Sequence, residues 1–414
     1  MKSAFIAPEF NLPLAWAIDF SLPVILKSAL NLDGIEITSQ DRELLRGLRD
    51  ERVLYMGNHP TMVEPPVAYH TANVMGSRFH YMASRTVFDW YMGILGEVIK
   101  RVGAFSVVGG GGSREAMKYS REILSGPGGK LAIYPEGMMS GENDNLVPFM
   151  SGTAQIGFWA LEDARKKHGN AADIVVLPAF TKYLSTLTPE QARRDIEMSL
   201  TRIERKLGID PGDRNLLRQF LTVGRVLLEK YEQEYHIPRA SETDYEYRVG
   251  RLRHAVLEKA ASILGMQLDS HADAFTKIRD LWNAVEAAEA GFPLARRDLS
   301  AAQIAEARTH LNRAYMFIVI RREYLLEHPS PERFYEWLTR YENFILGHSR
   351  MRPRRARVFI GEPFYIGKYY GVYQENRRKG LEQVTQRLRS EMEKQLDKGI
   401  RLTRTLVTPH DIGE

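Results

Sequence analysis

The chain contains no cysteine among its 414 residues. This absence excludes a disulfide framework and a thiolate nucleophile, and it is compatible with a reducing cytosol. No serine stands in the Gly-x-Ser-x-Gly pattern of a nucleophile elbow, and the His-Glu-x-x-His pattern of many zinc hydrolases is also missing. The sequence therefore indicates neither a covalent acyl-enzyme nor a zinc hydrolase.

The chain also lacks a large excess of either positive or negative charge. The chain has 57 Lys and Arg residues against 52 Asp and Glu residues, a net charge of +5. Such a surplus favours contact with anionic membranes or acidic ligands but is too small to indicate nucleic-acid binding. With 44% hydrophobic residues over this length, the chain can bury a full core and form two or three structural units.

A long uninterrupted apolar run is missing as well. The most lipophilic stretch, residues 10–32, falls short of the about 20 predominantly apolar residues that a spanning helix needs. We expect one or two short helices there, which either lie in a membrane interface with Trp16 and Phe20 as anchors or pack on the protein's own core. The interrupting residues are Pro13, Asp19, Pro23 and Lys27.

Short apolar runs and helical patterns alternate from Gly34 to Tyr183. This alternation predicts an α/β layer fold with a mixed or mostly parallel sheet. The predicted strands are Gly34–Thr38, Arg52–Gly57, Phe79–Ala83, Ala104–Val108, Lys130–Tyr134 and Asp173–Ala179. The predicted helices are Pro66–Met75, Asp89–Arg101, Ser113–Leu124 and Thr153–Lys167.

The pattern changes after Leu187. Up to about His348 the apolar residues recur at helical spacing, which predicts a helical block of about 160 residues with no strand. A strand pattern returns at Arg357–Phe364, and a charged amphipathic helix is predicted over Val372–Lys398.

Two motifs follow predicted strands. The first is Asn58-His59-Pro60-Thr61-Met62-Val63-Glu64, and the second is Tyr134-Pro135-Glu136-Gly137. A carboxylate on one nitrogen of His59 fixes the tautomer and stabilises the imidazolium that forms when the other nitrogen takes a proton. Pro60 suits the first turn of a helix, and the prolines after Glu64 keep the next turn short. A structural histidine in a proline-rich turn is the alternative.

The order and spacing of these motifs resemble the glycerolipid acyltransferase superfamily, whose best-known members make phosphatidic acid from lysophosphatidic acid. That family has His, four residues and Asp in its first motif, where this chain ends in Glu64. Its third motif reads Glu-Gly-Thr-Arg, where this chain has Met139 in place of the arginine. Ser84-Arg85 and residues 103–109 resemble the second motif, with Gly109 at the position of another family arginine.

The resemblance implies an O-acyltransferase of lipid metabolism and phospholipid biosynthesis. The fatty acyl group would pass from acyl-CoA or acyl-ACP, as cosubstrate, to a hydroxyl of a glycerolipid or lipid-like acceptor. His59 would be the general base and Glu64 its orienting carboxylate, with no metal and no further cofactor. The resemblance also implies a peripheral or monotopic protein on the cytoplasmic side of a membrane, with no nucleic acid as partner. The implied substrate-binding residues are Asn58, Arg85, Glu136, Gly137, Ser140 and Gly152.

The resemblance and the periodicity together predict three parts. Residues 1–33 form an N-terminal helical segment, residues 34–187 and 354–414 form the α/β acyltransferase domain, and residues 188–353 form a helical insertion. A scaffold role of the insertion is compatible with catalysis.

The missing motif arginines weaken the local field for a phosphomonoester. We therefore expect an uncharged lipid alcohol or polyol as acceptor, unless Arg85, Arg114 or the arginine-rich residues 350–357 fold in to compensate. The glycines at 110–112 indicate a surface loop more than a phosphate cradle. The alternative function is a non-catalytic protein of the same fold that binds an acyl chain or an acyl carrier.

Overall fold

The computed structural model describes residues 5–109, 114–210, 212–238, 245–292 and 299–413. The glycine tract at 110–112 and the predicted helix start at Ser113 lie outside these residues.

One sheet of eight strands organises the α/β part of the protein. Its order is β1-β7-β6-β2-β5-β3-β4, and β8 pairs with β6. The strands are β1 (Leu32–Ile37), β2 (Val53–Gly57), β3 (His80–Ser84), β4 (Ala104–Val107), β5 (Lys130–Ile133), β6 (Val175–Ser185), β7 (Arg354–Ile360) and β8 (Phe364–Tyr365). The predicted α/β class with a mixed sheet is confirmed.

The strand directions bring the two motifs to the same edge. Strand β2 is parallel to both β5 and β6, and Met56 of β2 is in register with Ile133 of β5. Strand β7 is antiparallel to β6, which makes the sheet mixed. Because the carboxyl ends of neighbouring parallel strands meet at one edge, His59 after β2 and Glu136 after β5 lie beside each other.

Helices cover both faces of the sheet. The first six helices are α1 (Leu12–Leu30), α2 (Ser39–Gly47), α3 (Glu64–Met75), α4 (Ile94–Arg101), α5 (Arg114–Ser125) and α6 (Ser151–His168). One buried apolar cluster packs α1 and α3 against strands such as β2 and β6, and a second packs α5 and α6 on the other face. Burial on both faces explains why the central strands are almost continuously apolar.

Between β6 and β7 the described residues form seven α-helices and a short π-helix (Glu342–Leu346), and no strand. The seven α-helices are α7 (Pro189–Leu207), α8 (Leu216–Glu234), α9 (Tyr245–Leu264), α10 (Ala274–Glu289), α11 (Ala301–Val319), α12 (Arg322–Glu327) and α13 (Pro331–Tyr341). They share a core of their own, which includes the fully buried Trp337 and Phe220. Several start at a side chain that caps the first free backbone N–H groups. These caps are Thr188, Asn215, Asp273, Ser300 and Ser330.

Two helices, α14 (Tyr370–Glu375) and α15 (Arg377–Ile400), close the chain. The single predicted helix over Val372–Lys398 is divided at Asn376, whose side chain caps α15 by accepting from the Lys379 N–H.

The N-terminal helix differs from its prediction. Residues 12–30 form one helix of 19 residues with Pro23 inside it, and that helix is long and apolar enough to cross a membrane by length and composition alone. The expectation that this stretch is too short and too interrupted was therefore wrong on that criterion. Its inner face is fixed to the domain, because Asp19 forms an ion pair with Arg78 at 2.5 Å and accepts from the Tyr69 hydroxyl at 2.7 Å.

The predicted helix over Asp89–Arg101 begins later than expected. Tyr91 and Met92 adopt left-handed backbone conformations, with φ of 51° and 58°. A regular right-handed helix cannot pass through such residues, so α4 starts only at Ile94 and is preceded by a distorted 3₁₀ stretch over Arg85–Gly93.

Candidate active site

The His59 imidazole and the Glu64 carboxylate are in direct contact. Nδ1 of His59 lies 2.7 Å from Oε2 of Glu64. Glu64 is the first residue of α3, with Pro65 and Pro66 completing the start of the helix. Pro60 lies in a bend before α3, so the helix begins at Glu64 and not at Pro60 or Pro66 as the sequence suggested. This short return of the chain brings the carboxylate back to the ring.

Glu64 accepts hydrogen bonds from two further residues. Its Oε2 accepts from the Thr61 N–H at 3.1 Å, and its Oε1 accepts from the hydroxyls of Thr61 and Tyr183, each at 2.6 Å. Burial acts to raise the pKa of Glu64, but the hydrogen bonds from His59, Thr61 and Tyr183 outweigh it and hold the pKa below its ordinary value. Glu64 is therefore an ionised carboxylate at neutral pH, able to stabilise positive charge on the imidazole.

The other nitrogen of His59 is available for chemistry. The His59 side chain is 21% exposed, whereas that of Glu64 is 1% exposed. Because Glu64 accepts the Nδ1–H, the neutral ring has its lone pair on Nε2, which has no hydrogen-bond partner among the described residues. Tyr134 stacks on the ring with centroids 4.6 Å apart and limits its rotation. The geometry fits a general base that takes a proton at Nε2.

The third motif holds the His59 backbone from both sides. Oε1 of Glu136 accepts from the His59 N–H at 2.9 Å, and the Ser140 N–H donates to the His59 carbonyl at 2.8 Å. Burial raises the pKa of Glu136 to about 8, and its Oε2 has no hydrogen-bond partner among the described residues. The Glu136 carboxyl, predicted to contact substrate, therefore contacts the backbone of His59, and the Ser140 hydroxyl donates to the Glu142 carbonyl at 3.2 Å.

Asn58 satisfies backbone groups of β6 where that strand extends beyond β2. Its amide donates to the Thr181 carbonyl at 3.0 Å, and its side-chain oxygen accepts from the Thr181 N–H at 2.7 Å. Asn143 makes the equivalent pair of hydrogen bonds with Tyr183. Because buried backbone groups must be paired, both asparagines stabilise the strand that presents the Tyr183 hydroxyl to Glu64.

The other predicted site residues lie around this centre. Gly137 has a φ of 71°, and a Cβ there would lie 2.3 Å from the Met150 sulfur, so only glycine fits. Gly152 lies in the first turn of α6. Arg85 is buried and pairs with Asp89 at 3.1 Å.

The arginine-rich residues 350–357, which lead into β7 and form its start, are partly neutralised by carboxylates. Arg352 forms ion pairs with Glu342 at 2.6 Å and Asp195 at 2.9 Å, and Arg355 pairs with Glu36 at 2.8 Å. Arg357 and Arg350 are paired in the same way. Three carboxylates thus offset part of the charge of the five arginines, and the remaining arginine, Arg354, lies over the Tyr183 ring, 4.6 Å from its centroid. Arg114, the other predicted substitute, lies exposed at the start of α5.

The helical block contacts the third-motif loop directly. The Tyr315 hydroxyl donates to the Met139 carbonyl at 3.2 Å, and Arg340 donates to the Gly141 carbonyl. Asp144 in the same loop pairs with Arg333 of α13 at 3.0 Å. Side chains 176 to 199 residues away in sequence therefore hold the loop that positions His59.

Four residues at the site were not predicted as functional. Thr61 and Tyr134 lie within the recognised motifs, but nothing in their spacing shows that one binds Glu64 and the other stacks on His59. Tyr183 was missed because the predicted strand stopped at Ala179, and the polar pair Thr181-Lys182 interrupts the apolar run before Tyr183. Arg279 of α10, which donates to the Glu136 carbonyl at 3.2 Å, has no local sequence signal.

The site combines the buried Glu64 carboxylate with the His59 imidazole that it orients. The backbone of His59, at the end of β2, is held by Glu136 and Ser140. This arrangement is able to activate a hydroxyl group. Residues 36–181, from β1 into β6, match the family model described as Acyltransferase. This match covers the segment that carries both motifs, and it supports a general acyltransferase role. No curated protein matches the chain. A cluster of three or more His, Asp or Glu side chains suited to a metal ion is not found in the described part of the chain.

Proposed function

We propose that the protein is an O-acyltransferase that moves a fatty acyl group from acyl-CoA or acyl-ACP to a hydroxyl of a glycerolipid or lipid-like acceptor. The contact between His59 Nδ1 and Glu64 at 2.7 Å carries the proposal. It leaves Nε2 as the nitrogen that takes the hydroxyl proton while the oxygen attacks the thioester carbonyl. The C–S bond then breaks, and the imidazolium returns the proton to the leaving thiolate.

General-base catalysis contributes about 10²–10⁴-fold to such a step, so positioning of both substrates supplies much of the remainder. In this mechanism Glu136 and Ser140 hold His59 in position, since both form hydrogen bonds with its backbone. No acyl-enzyme and no further cofactor take part, and the thioester carrier is a cosubstrate.

A groove beside the third motif is our candidate for the donor. It has a volume of about 590 Å³ and runs between the start of α6 and α15. Arg378, Arg389, Ser151 and the acidic Glu382 line it. Arg389 already pairs with Glu393 at 2.8 Å and donates to two backbone carbonyls, so Arg378 is the candidate contact for the phosphates that both CoA and the prosthetic group of an acyl carrier protein contain.

We also propose that α1 lies on the cytoplasmic surface of a membrane, which makes the protein peripheral or monotopic. Its outward side chains at spacing four form an apolar stripe, with Trp16, Phe20 and Val24 exposed by 63%, 91% and 68%. A monomeric soluble protein rarely leaves such a continuous stripe in water, and tryptophan is favoured at lipid interfaces. The Asp19–Arg78 ion pair on the opposite side favours a helix that stays against the domain.

Tyr91 and Met92 provide a second apolar surface, just after β3 at the edge that carries His59. Their exposures are 77% and 95%, and both adopt the left-handed backbone conformation, which costs about 1–3 kcal/mol per residue. Contact with the lipid surface gives a reason for this costly exposure.

The decisive experiment measures thioester cleavage by the purified protein with a panel of hydroxyl acceptors. Acceptor-dependent release of the thiol and formation of an acyl ester, both lost in His59→Ala, are expected. Donor binding without cleavage, with no acceptor in a broad panel used, would instead favour the non-catalytic acyl-binding alternative.

A further inference from the structure

Helix α10 of the insertion presents three polar side chains to the catalytic motifs. Arg279 donates to the carbonyls of Glu136 and Pro148 at 3.2 and 3.3 Å. Glu286 accepts from the Ser84 hydroxyl at 2.6 Å. Asn283 lies against Gly109, since a Cβ built at that glycine would be 2.3 Å from the Asn283 side-chain oxygen.

Arg279, Asn283 and Glu286 stand at positions i, i+4 and i+7, which lie on one face of a helix. We name them the α10 stripe. Each contacts a segment that the family motifs single out: the third motif and the two ends of the second. A helix that merely covered the sheet edge would present apolar side chains there. All three residues of the α10 stripe are polar, and polar side chains are the ones that can bind a substrate through hydrogen bonds.

The stripe also explains why Gly109 replaces a family arginine. Asn283 occupies the space where any side chain at position 109 would begin. At the third motif, where Met139 replaces the other family arginine, Arg279 is a cation from a different part of the chain. Side chains of helix α10 therefore lie beside the two positions at which this chain lacks a family arginine.

The chemistry of the stripe depends on which members a substrate can reach. Arg279 is 8% exposed and is already shared between two carbonyls, whereas Asn283 and Glu286 are half-buried. An amide and a carboxyl group donate to and accept from hydroxyl groups but do not attract a phosphate dianion. Burial raises the pKa of Glu286, which adds to its capacity to donate.

We propose that the α10 stripe recognises the acceptor, and that the acceptor is an uncharged, hydroxyl-rich lipid headgroup and not a phosphomonoester. This proposal rests on the acyltransferase function proposed above. In it, Arg279 is a positioning residue that fixes the Glu136–Gly137 corner, while Asn283 and Glu286 bind acceptor hydroxyls.

The test compares Asn283→Ala and Glu286→Ala with wild type in the acyl-transfer assay, using an uncharged monoacylated glycerol and lysophosphatidate as acceptors. The matched control is Glu289→Ala, the same change on the same helix at an exposed residue that pairs with Arg308. Asn283→Ala and Glu286→Ala each remove the polar group, so each is expected to raise KM for the uncharged acceptor about 5- to 10-fold, which is the loss of one hydrogen bond. The donor KM is expected to stay constant, and the control to match wild type.

A reciprocal double variant, Gly109→Arg with Asn283→Ala, removes the obstruction and restores the family arginine. It is expected to raise the rate with lysophosphatidate relative to the uncharged acceptor. If this variant does not fold, the single variants Asn283→Ala and Glu286→Ala still decide the question.

The stripe proposal is overturned if the stripe variants keep the wild-type acceptor KM while His59→Ala abolishes transfer. A wild-type preference for lysophosphatidate overturns the uncharged substrate class. Undiminished transfer in His59→Ala overturns the proposed mechanism instead, so the two failures are distinguishable.

Discussion

Substitution of Glu64 by Gln tests the electrostatic role of the buried carboxylate. Four donor groups converge on its two oxygens: the His59 ring, the N–H and hydroxyl of Thr61, and the Tyr183 hydroxyl. Glutamine has one acceptor oxygen, and its amide N–H₂ would face donors on the other side. The variant therefore loses both the charge that stabilises the imidazolium and part of the hydrogen-bond network.

The expected effect follows from the contact between the ring and Oε2. A hydrogen bond to a charged group contributes about 1.5–3 kcal/mol, and each 1.36 kcal/mol changes a rate tenfold, so kcat should fall by about 10- to 150-fold. Donor KM should change little, because Glu64 is buried behind the ring. Glu64→Asp keeps the charge but is one methylene shorter, and it should retain partial activity.

The assay is steady-state acyl transfer with donor and acceptor varied separately, and with folding of each variant checked by circular dichroism. Thermal unfolding supplies a second measure. The lowered pKa of Glu64 adds stability that is present above its ordinary pKa and lost as the pH falls through the folded-state pKa. The Glu64→Gln protein should not show this loss of stability as the pH falls. A folded Glu64→Gln with wild-type kcat would refute the orienting role.

Three further predictions concern other parts of the protein. Burial raises the pKa of Glu136 to about 8, so the wild type should lose stability relative to Glu136→Gln as the pH rises from about 5 through 8. The measurement is the difference between the unfolding midpoints of the two proteins at each pH. A difference that stays constant with pH would contradict the raised pKa. The double variant Trp16→Ser with Phe20→Ser should lose liposome binding in a flotation assay, while Leu402→Ser, at another exposed apolar residue, should not. Unchanged flotation of the double variant would assign membrane contact elsewhere. Arg378→Glu should raise the donor KM several-fold without changing the acceptor KM, and the reverse pattern would remove the groove from the donor site.

Local sequence signals were enough to predict that His59, Glu64 and Glu136 lie together. The apolar runs ending at Gly57 and Tyr134 place His59 and Glu136 at strand exits, and parallel pairing of β2 with β5 brings those exits together. The return of Glu64 to the imidazole was predicted from the proline-rich turn. These features depend on residues close in sequence or on a general property of parallel sheets.

The remainder of the site depends on contacts between distant segments. Arg279 reaches the Glu136 carbonyl across 143 positions, and the Tyr183 hydroxyl reaches Glu64 across 119. No periodicity encodes such pairings, because they depend on how the helical block packs on the loop after β5. The late start of α4 was missed for a different reason: the left-handed Tyr91 and Met92 are residue types that rarely adopt that conformation.

The most direct test of general-base catalysis by His59 is the rate of acyl transfer by His59→Ala. The variant should keep the wild-type fold, because the His59 contacts that join the strand exit to Glu136 and Ser140 are made by its backbone. Acceptor-dependent ester formation should then be abolished, with donor binding retained. A folded His59→Ala protein that transfers the acyl group at the wild-type rate would contradict the mechanism.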